Sequence, residues 1–114
     1  MKIIGIIPAR MESTRFPNKP LAKILGVPMI GHVYYRSQMC SLLDDIWVAT
    51  CNQEILEYVN NIRGKAIMTA NTHERASDRV AEALLSIEKM TDKSYDIVIL
   101  IQGDEPMIVP EMIE

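Results

Sequence analysis

Long hydrophobic runs, an excess of one charge and closely spaced cysteines are all missing from this 114-residue sequence. No apolar stretch approaches the ~18–20 residues that span a bilayer. The opening Met1-Lys2-Ile3-Ile4-Gly5-Ile6-Ile7-Pro8 has one charged side chain and a short apolar core, too little for a signal peptide. A cytoplasmic protein with no membrane partner is therefore expected. Twelve Lys and Arg face fifteen Asp and Glu, scattered along the chain to a net charge of −3. That balance provides no basic footprint for nucleic acid, so a phosphorylated ligand would have to be held by locally placed Arg and Lys. Cys40 and Cys51 show neither a CxxC spacing nor a companion His cluster, and read as reduced, half-buried thiols rather than a disulfide. The two commonest nucleotide signatures are also absent. No GxGxxG follows the first apolar run and no GxxxxGK[ST] occurs anywhere, which argues against a dinucleotide dehydrogenase and a P-loop NTPase.

What is present is a core. The chain is 48% apolar, and a domain of this length buries roughly 60–70% of its unfolded surface. One domain, or part of a larger one, fits that length. There is no internal repeat, low-complexity segment or linker. Ile3 to Ile7 is apolar apart from Gly5, and Ile97 to Ile101 is apolar throughout. Such runs, rich in β-branched residues, suit strands covered on both faces of a parallel sheet. Ile46 to Thr50 reads as a third strand and Lys65 to Met68 as a short fourth. Helical spacing separates them. Ile30, Val33, Tyr34 and Ser37 follow Pro28; Ile55, Leu56 and Val59 follow a potential N-cap at Asn52 and precede Gly64; Val80, Leu84 and Ile87 follow Ser77 as a potential cap. The order β-α-β-α-β-α-β predicts an α/β fold with a doubly wound, mostly parallel sheet.

Residues 9–28 do not fit a short connection between a strand and a helix. Such connections typically run about 2–6 residues, and longer ones are disproportionately functional. The segment reads Ala9-Arg10-Met11-Glu12-Ser13-Thr14-Arg15-Phe16-Pro17-Asn18-Lys19-Pro20-Leu21 and leaves the carboxyl end of the first strand, the ligand-binding edge of an open α/β sheet. Arg presents forked donors to phosphate, Lys a mobile charge, and Ser, Thr and free amides further donors. Pro17 and Pro20 stiffen the segment that presents Lys19. The bland alternative is a solvated basic loop. At the other end of the chain, the last strand runs into Gln102-Gly103-Asp104-Glu105-Pro106. Asp104 there is placed either to ligate Mg²⁺ beside a triphosphate or to bond its own turn backbone.

Together these motifs resemble the 3-deoxy-manno-octulosonate cytidylyltransferases. The resemblance rests on Ile-Ile-Pro-Ala-Arg-x-x-Ser-Thr-Arg-x-Pro-x-Lys-Pro-Leu at 6–21, Val-Ala-Thr at 48–50, Met68-Thr69 with His73, and Gln-Gly-Asp-Glu-Pro at 102–106. It covers the whole chain and implies a nucleotide-diphospho-sugar transferase-like, Rossmann-like fold. The implied activity is transfer of CMP from CTP to an acidic eight-carbon sugar, releasing pyrophosphate, for lipopolysaccharide or surface polysaccharide synthesis. By the same resemblance Arg10 and Lys19 hold and neutralise the triphosphate with help from Ser13 and Thr14, and Asp104 ligates Mg²⁺. Arg10, Lys19 and Asp104 thus form the implied catalytic set. Ala9, Met68, Thr69 and His73 line the cytidine pocket, and Arg15 and Gln102 face the sugar. The family's chains are about twice as long, with a second half that supplies a further metal carboxylate, much of the sugar pocket and a homodimer interface. Residues 1–114 are therefore expected to be a nucleotide-binding half.

Two departures stand out. The family commonly reads His-x-Ser-Gly-Thr-Glu/Asp-Arg, whereas this chain has His73-Glu74-Arg75-Ala76-Ser77-Asp78-Arg79. Cys51 stands where Asp is usual, a change expected to alter only a helix cap. Two other readings compete: a non-catalytic nucleotide-binding module, and a cytidylyltransferase acting on another acidic or amino sugar. A receiver-like domain would need an acidic phosphoacceptor after the strand that is third in chain order, where Met68-Thr69 offers none. His32 reads as a core-edge histidine, Glu82, Glu88 and Lys89 as a solvated helix face, and Tyr95 has no assigned role.

Overall fold

The computed structural model of the chain describes residues 2–11, 23–24, 26–72 and 75–101. Nine elements follow one another: β1 (Ile3–Ala9), β2 (Lys23–Ile24), β3 (Val27–Pro28), α1 (Met29–Gln38), β4 (Asp45–Thr50), α2 (Gln53–Asn61), β5 (Ala66–Met68), α3 (Ala76–Thr91) and β6 (Ile97–Leu100). The main sheet has the order β5-β4-β1-β6, and all three of its pairings are parallel. Because side chains alternate across a strand, β1 feeds both faces. Ile7 and Ala9 join Val48, Ile30, Val33, Tyr34, Ile55 and Val59 under α1 and α2. Ile4 and Ile6 join Trp47, Ala49, Val80, Ala83 and Ile87 under α3. Helices on both faces of a parallel sheet give the doubly wound α/β architecture expected, and explain why its central strands are apolar without alternation.

The differences from the sequence reading are local. The 9–28 segment contains a hairpin of its own, β2 antiparallel to β3, turned at Gly26 with φ 83°, a region that residues with a Cβ rarely enter. Strands of two residues carry no periodicity by which to recognise them. Asn52 does occupy the N-cap position of α2, but its side chain makes no cap hydrogen bond. Ser77 is not a cap: α3 starts at Ala76 with Arg75 in that position. At the far end of α2, Arg63 takes the left-handed conformation (φ 61°). The Gly64 amide then donates to the Val59 carbonyl at 2.8 Å and the Arg63 amide to that of Asn60 at 3.0 Å, a Schellman closure with arginine where glycine is usual. Gly64 is needed for space, since a Cβ there would lie 2.8 Å from Val59 Cγ1 and 2.9 Å from the Tyr34 ring. The last strand is less covered than its apolar run suggests: Ile97 and Val98 are 41% and 39% exposed.

The amino ends of the strands are pinned by carboxylates. Asp96 accepts from the Lys2 amide at 2.8 Å and Asp44 from the Ile3 amide at 2.6 Å. Asp45 accepts from the Tyr95 hydroxyl at 2.5 Å and pairs with Lys65 at 3.1 Å and Lys93 at 3.7 Å. Glu88 takes the Tyr95 amide at 3.0 Å, so it is not merely solvated. Among the described residues no helix is long and apolar enough to cross a membrane.

Candidate functional site

The order β5-β4-β1-β6 fixes where a ligand belongs. From β1 the chain steps outward to β4 and β5, then returns to the opposite side of β1 with β6. The crevice at such a reversal, beyond the carboxyl ends of the strands, is the usual binding position in this architecture. Ala9, Thr50, Met68 and the residue after Leu100 all end at that edge.

The described part of this edge is knitted together by side chains. Arg10 follows β1 directly and is half-buried. Asn52 leaves its own helix amides and accepts from the Met11 amide at 2.9 Å. Its own amide donates to Thr50 Oγ1 at 3.1 Å. Asn52 therefore tethers the start of the long loop to the end of β4. The Thr69 amide donates to the Thr50 carbonyl at 2.8 Å, carrying the β4–β5 pairing one residue past the strand. Arg79, on the buried stripe of α3 and 3% exposed, reaches under this edge. Its Nε donates to Thr69 Oγ1 at 3.1 Å, and one terminal nitrogen donates to Cys51 Sγ at 3.7 Å. The Cys51 thiol in turn donates to Asn52 Oδ1 at 3.6 Å. Cys51 therefore bears on a buried guanidinium, not on the helix cap anticipated for that position. Glu82 accepts the Ala70 amide at 3.1 Å, so it too is engaged in holding the β5–α3 connection.

Of the residues that the sequence singled out, Ala9, Arg10, Met68 and Thr69 are brought to this one edge. Ala9 and Thr69 are buried, Arg10 is half-buried, and Met68 is 41% exposed. Ser13, Thr14, Arg15, Lys19, His73, Gln102 and Asp104 lie outside the described residues. Among the described residues no group of three or more His, Cys, Asp or Glu side chains is arranged so that it could hold a metal ion. Asn52 and Arg79 were not anticipated as functional. The polar Thr50-Cys51-Asn52 run beyond an apolar strand was the available signal for the first. For the second it was the spacing of Arg79 from Ala83 and Ile87 on one helical stripe.

The sequence matches the cytidylyltransferase family over residues 4–114. The chain belongs to that family. It is 46% identical over its full length to a 3-deoxy-manno-octulosonate cytidylyltransferase from Geobacter metallireducens, of which it covers 42%. It is 47% identical over 113 residues to one from Zea mays, covering 99% of this chain and 37% of the relative. Among solved structures, a CMP:2-keto-3-deoxy-manno-octonic acid synthetase complexed with CTP superposes with a TM-score of 0.89 at 44% identity, matching all of this chain and 45% of the other. A 4-diphosphocytidyl-2C-methyl-D-erythritol synthase superposes at 0.75 with 12% identity, over 97% of this chain and 50% of that one, a likeness of fold alone. The chain thus spans under half the length of the curated relatives it matches.

Proposed function

We propose that the chain is the nucleotide-binding half of a cytidylyltransferase that takes CTP and transfers CMP to 3-deoxy-manno-octulosonate or a close sugar acid. In that reaction the anomeric hydroxyl oxygen bonds to the α-phosphorus of CTP, the α–β phosphoanhydride breaks, and pyrophosphate leaves while the hydroxyl proton is lost. The observation that carries the reading is the 44% identity and 0.89 TM-score, across the entire chain, to a synthetase complexed with CTP. Ala9, Arg10, Met68 and Thr69 meeting at the crevice agree with it.

In this reading Arg10 and Lys19 neutralise the triphosphate, with Ser13 and Thr14 adding donors. Ala9, Met68, Thr69 and His73 receive the cytidine, and Arg15 and Gln102 face the sugar. Asp104 supplies a carboxylate for Mg²⁺, which would offset charge on the phosphates. Nucleotidyl transfer depends chiefly on positioning and on stabilising charge at the phosphorus, and a chain that fixes the nucleotide supplies the first of these. A cytoplasmic setting and a homodimer of the full-length protein complete the proposal.

Calorimetry with CTP, comparing the native chain with Lys19→Ala, tests it. Binding that weakens with salt and falls at least about tenfold in the variant is expected, since Lys19 is asked for one charge-assisted contact. Absence of CTP binding by the native chain would overturn the reading. Equal affinities would remove Lys19 from the triphosphate site.

A further inference from the structure

A guanidinium is seldom buried unless its charge is paired, and that of Arg79 is 3% exposed. Among the described residues its side-chain partners are a threonine hydroxyl at 3.1 Å and a cysteine sulfur at 3.7 Å, with no carboxylate. Replacing it by an apolar residue on the stripe it shares with Val80, Ala83 and Ile87 would remove a desolvated charge from between helix and sheet. Its placement therefore answers to something other than packing. What it touches is the carboxyl edge of the sheet. Nε–H fills one acceptor position of the Thr69 hydroxyl, which leaves that hydroxyl's own hydrogen to donate elsewhere. The other arm of the fork meets Cys51, whose neighbour Asn52 holds the Met11 amide. One planar group thus links the ends of β5 and β4 and, through Asn52, the exit of β1.

We infer that Arg79 is a positioning residue of the nucleotide site. It orients the Thr69 hydroxyl as a donor to the acceptor edge of the bound base and fixes the three strand ends around it. The inference rests on the CTP reading above. A lysine cannot substitute, because a point charge on a flexible stem does not reproduce the fork. The base, not the triphosphate, should register the loss, since Thr69 lies beyond β5 whereas the basic loop leaves β1.

The test is calorimetry of CTP and, separately, inorganic tripolyphosphate against the native chain, Arg79→Lys, Thr69→Val and Thr69→Ser. Arg79→Lys retains the charge and is expected to lose about tenfold in CTP affinity, the equivalent of one charge-assisted hydrogen bond, with tripolyphosphate affinity unchanged. Thr69→Val should show the same selective loss, and Thr69→Ser, which keeps the hydroxyl, should recover most of the CTP affinity that Thr69→Val loses. The double variant Arg79→Lys/Thr69→Val should lose no more than either single one, because both act along one path. A merely structural Arg79 would depress both ligands together and overturn the inference, as would CTP affinity untouched in Arg79→Lys. Should Arg79→Lys not fold, Thr69→Val decides: undiminished CTP binding there refutes the inference. A native chain that binds tripolyphosphate but not CTP would instead bring down the proposed function itself, and with it the role given to Arg79.

Discussion

Replacing Tyr95 by Phe removes one oxygen and tests how the starts of the strands are held. The Tyr95 hydroxyl donates to Asp45 Oδ2 at 2.5 Å, joining the segment before β6 to the first residue of β4. Hydrogen bonds to charged groups contribute about 1.5–3 kcal/mol each. The Asp45 side chain is only 11% exposed, so water does little to replace the lost donor. It nonetheless retains Lys65 at 3.1 Å and Lys93 at 3.7 Å. The low end of the range applies, about 1.5 kcal/mol, which for a domain of this size lowers Tm by roughly 6 °C.

The same contact has a pH signature. Partial burial, the hydrogen bond to Asp45 and the surrounding carboxylates push the Tyr95 phenol well above its ordinary value of 10.0. The unfolded phenol therefore ionises first as pH rises past 10, and the native chain loses stability there. For Asp45, burial works to raise the pKa. The hydrogen bonds from Tyr95 and Lys65 and the charges of Lys65 and Lys93 outweigh it, holding the carboxyl below its ordinary 3.8. Its contribution is present above that value and is lost as pH falls through the lower folded-state value. The stability gap between native and Tyr95→Phe chains should thus be widest near neutrality and narrow above pH 10. Urea unfolding followed by circular dichroism at pH 7 and pH 10.5 measures both points. A gap below about 0.5 kcal/mol at pH 7, within the range of an ordinary surface substitution, or one that does not shrink at pH 10.5, would refute the reasoning.

Two substitutions elsewhere read other parts of the fold. Gly64→Ala drives a Cβ to 2.8 Å from Val59 Cγ1 and 2.9 Å from the buried Tyr34 ring. It should cost about 1–3 kcal/mol as an overpacked site, measured by thermal unfolding; a neutral outcome would mean that the ring is free to shift. Cys51→Asp gives the buried Arg79 a carboxylate where it now has a sulfur at 3.7 Å. After desolvation is offset, a gain of about 1 kcal/mol is expected, and a fall in Tm would show that the thiol suits the site better than a charge.

The main sheet was readable in the sequence because its signal is local. Runs such as Ile3–Ile7 and Ile46–Thr50 declare strands because they are rich in β-branched residues, and the helical spacing of Ile55 and Val59 declares α2. The β2–β3 hairpin escaped because a two-residue strand shows no pattern. The exposure of Ile97 and Val98 escaped for a different reason: an apolar run cannot say how many neighbours will cover it. Partnerships across long separations were equally silent. Tyr95 and Asp45 stand 50 residues apart, and nothing around either names the other.

At the candidate site the motif residues were legible by type, and their joinery was not. Arg10, Met68 and Thr69 could be picked out one by one, but Asn52 looked like a helix cap until the Met11 amide was found to claim it. Polar side chains of this kind have several backbone partners within reach, and only the fold selects among them. The two ends of the sheet have been built to opposite rules. At the amino ends, Asp44, Asp45, Asp96 and Glu88 are consumed by backbone amides, lysines and a phenol within the fold. At the carboxyl ends, Arg79 spends its buried charge on a hydroxyl and a sulfur, weaker acceptors than a carboxylate. Among the described residues that planar fork spans the ends of β5 and β4, so a cation ties together at one edge what carboxylates tie at the other.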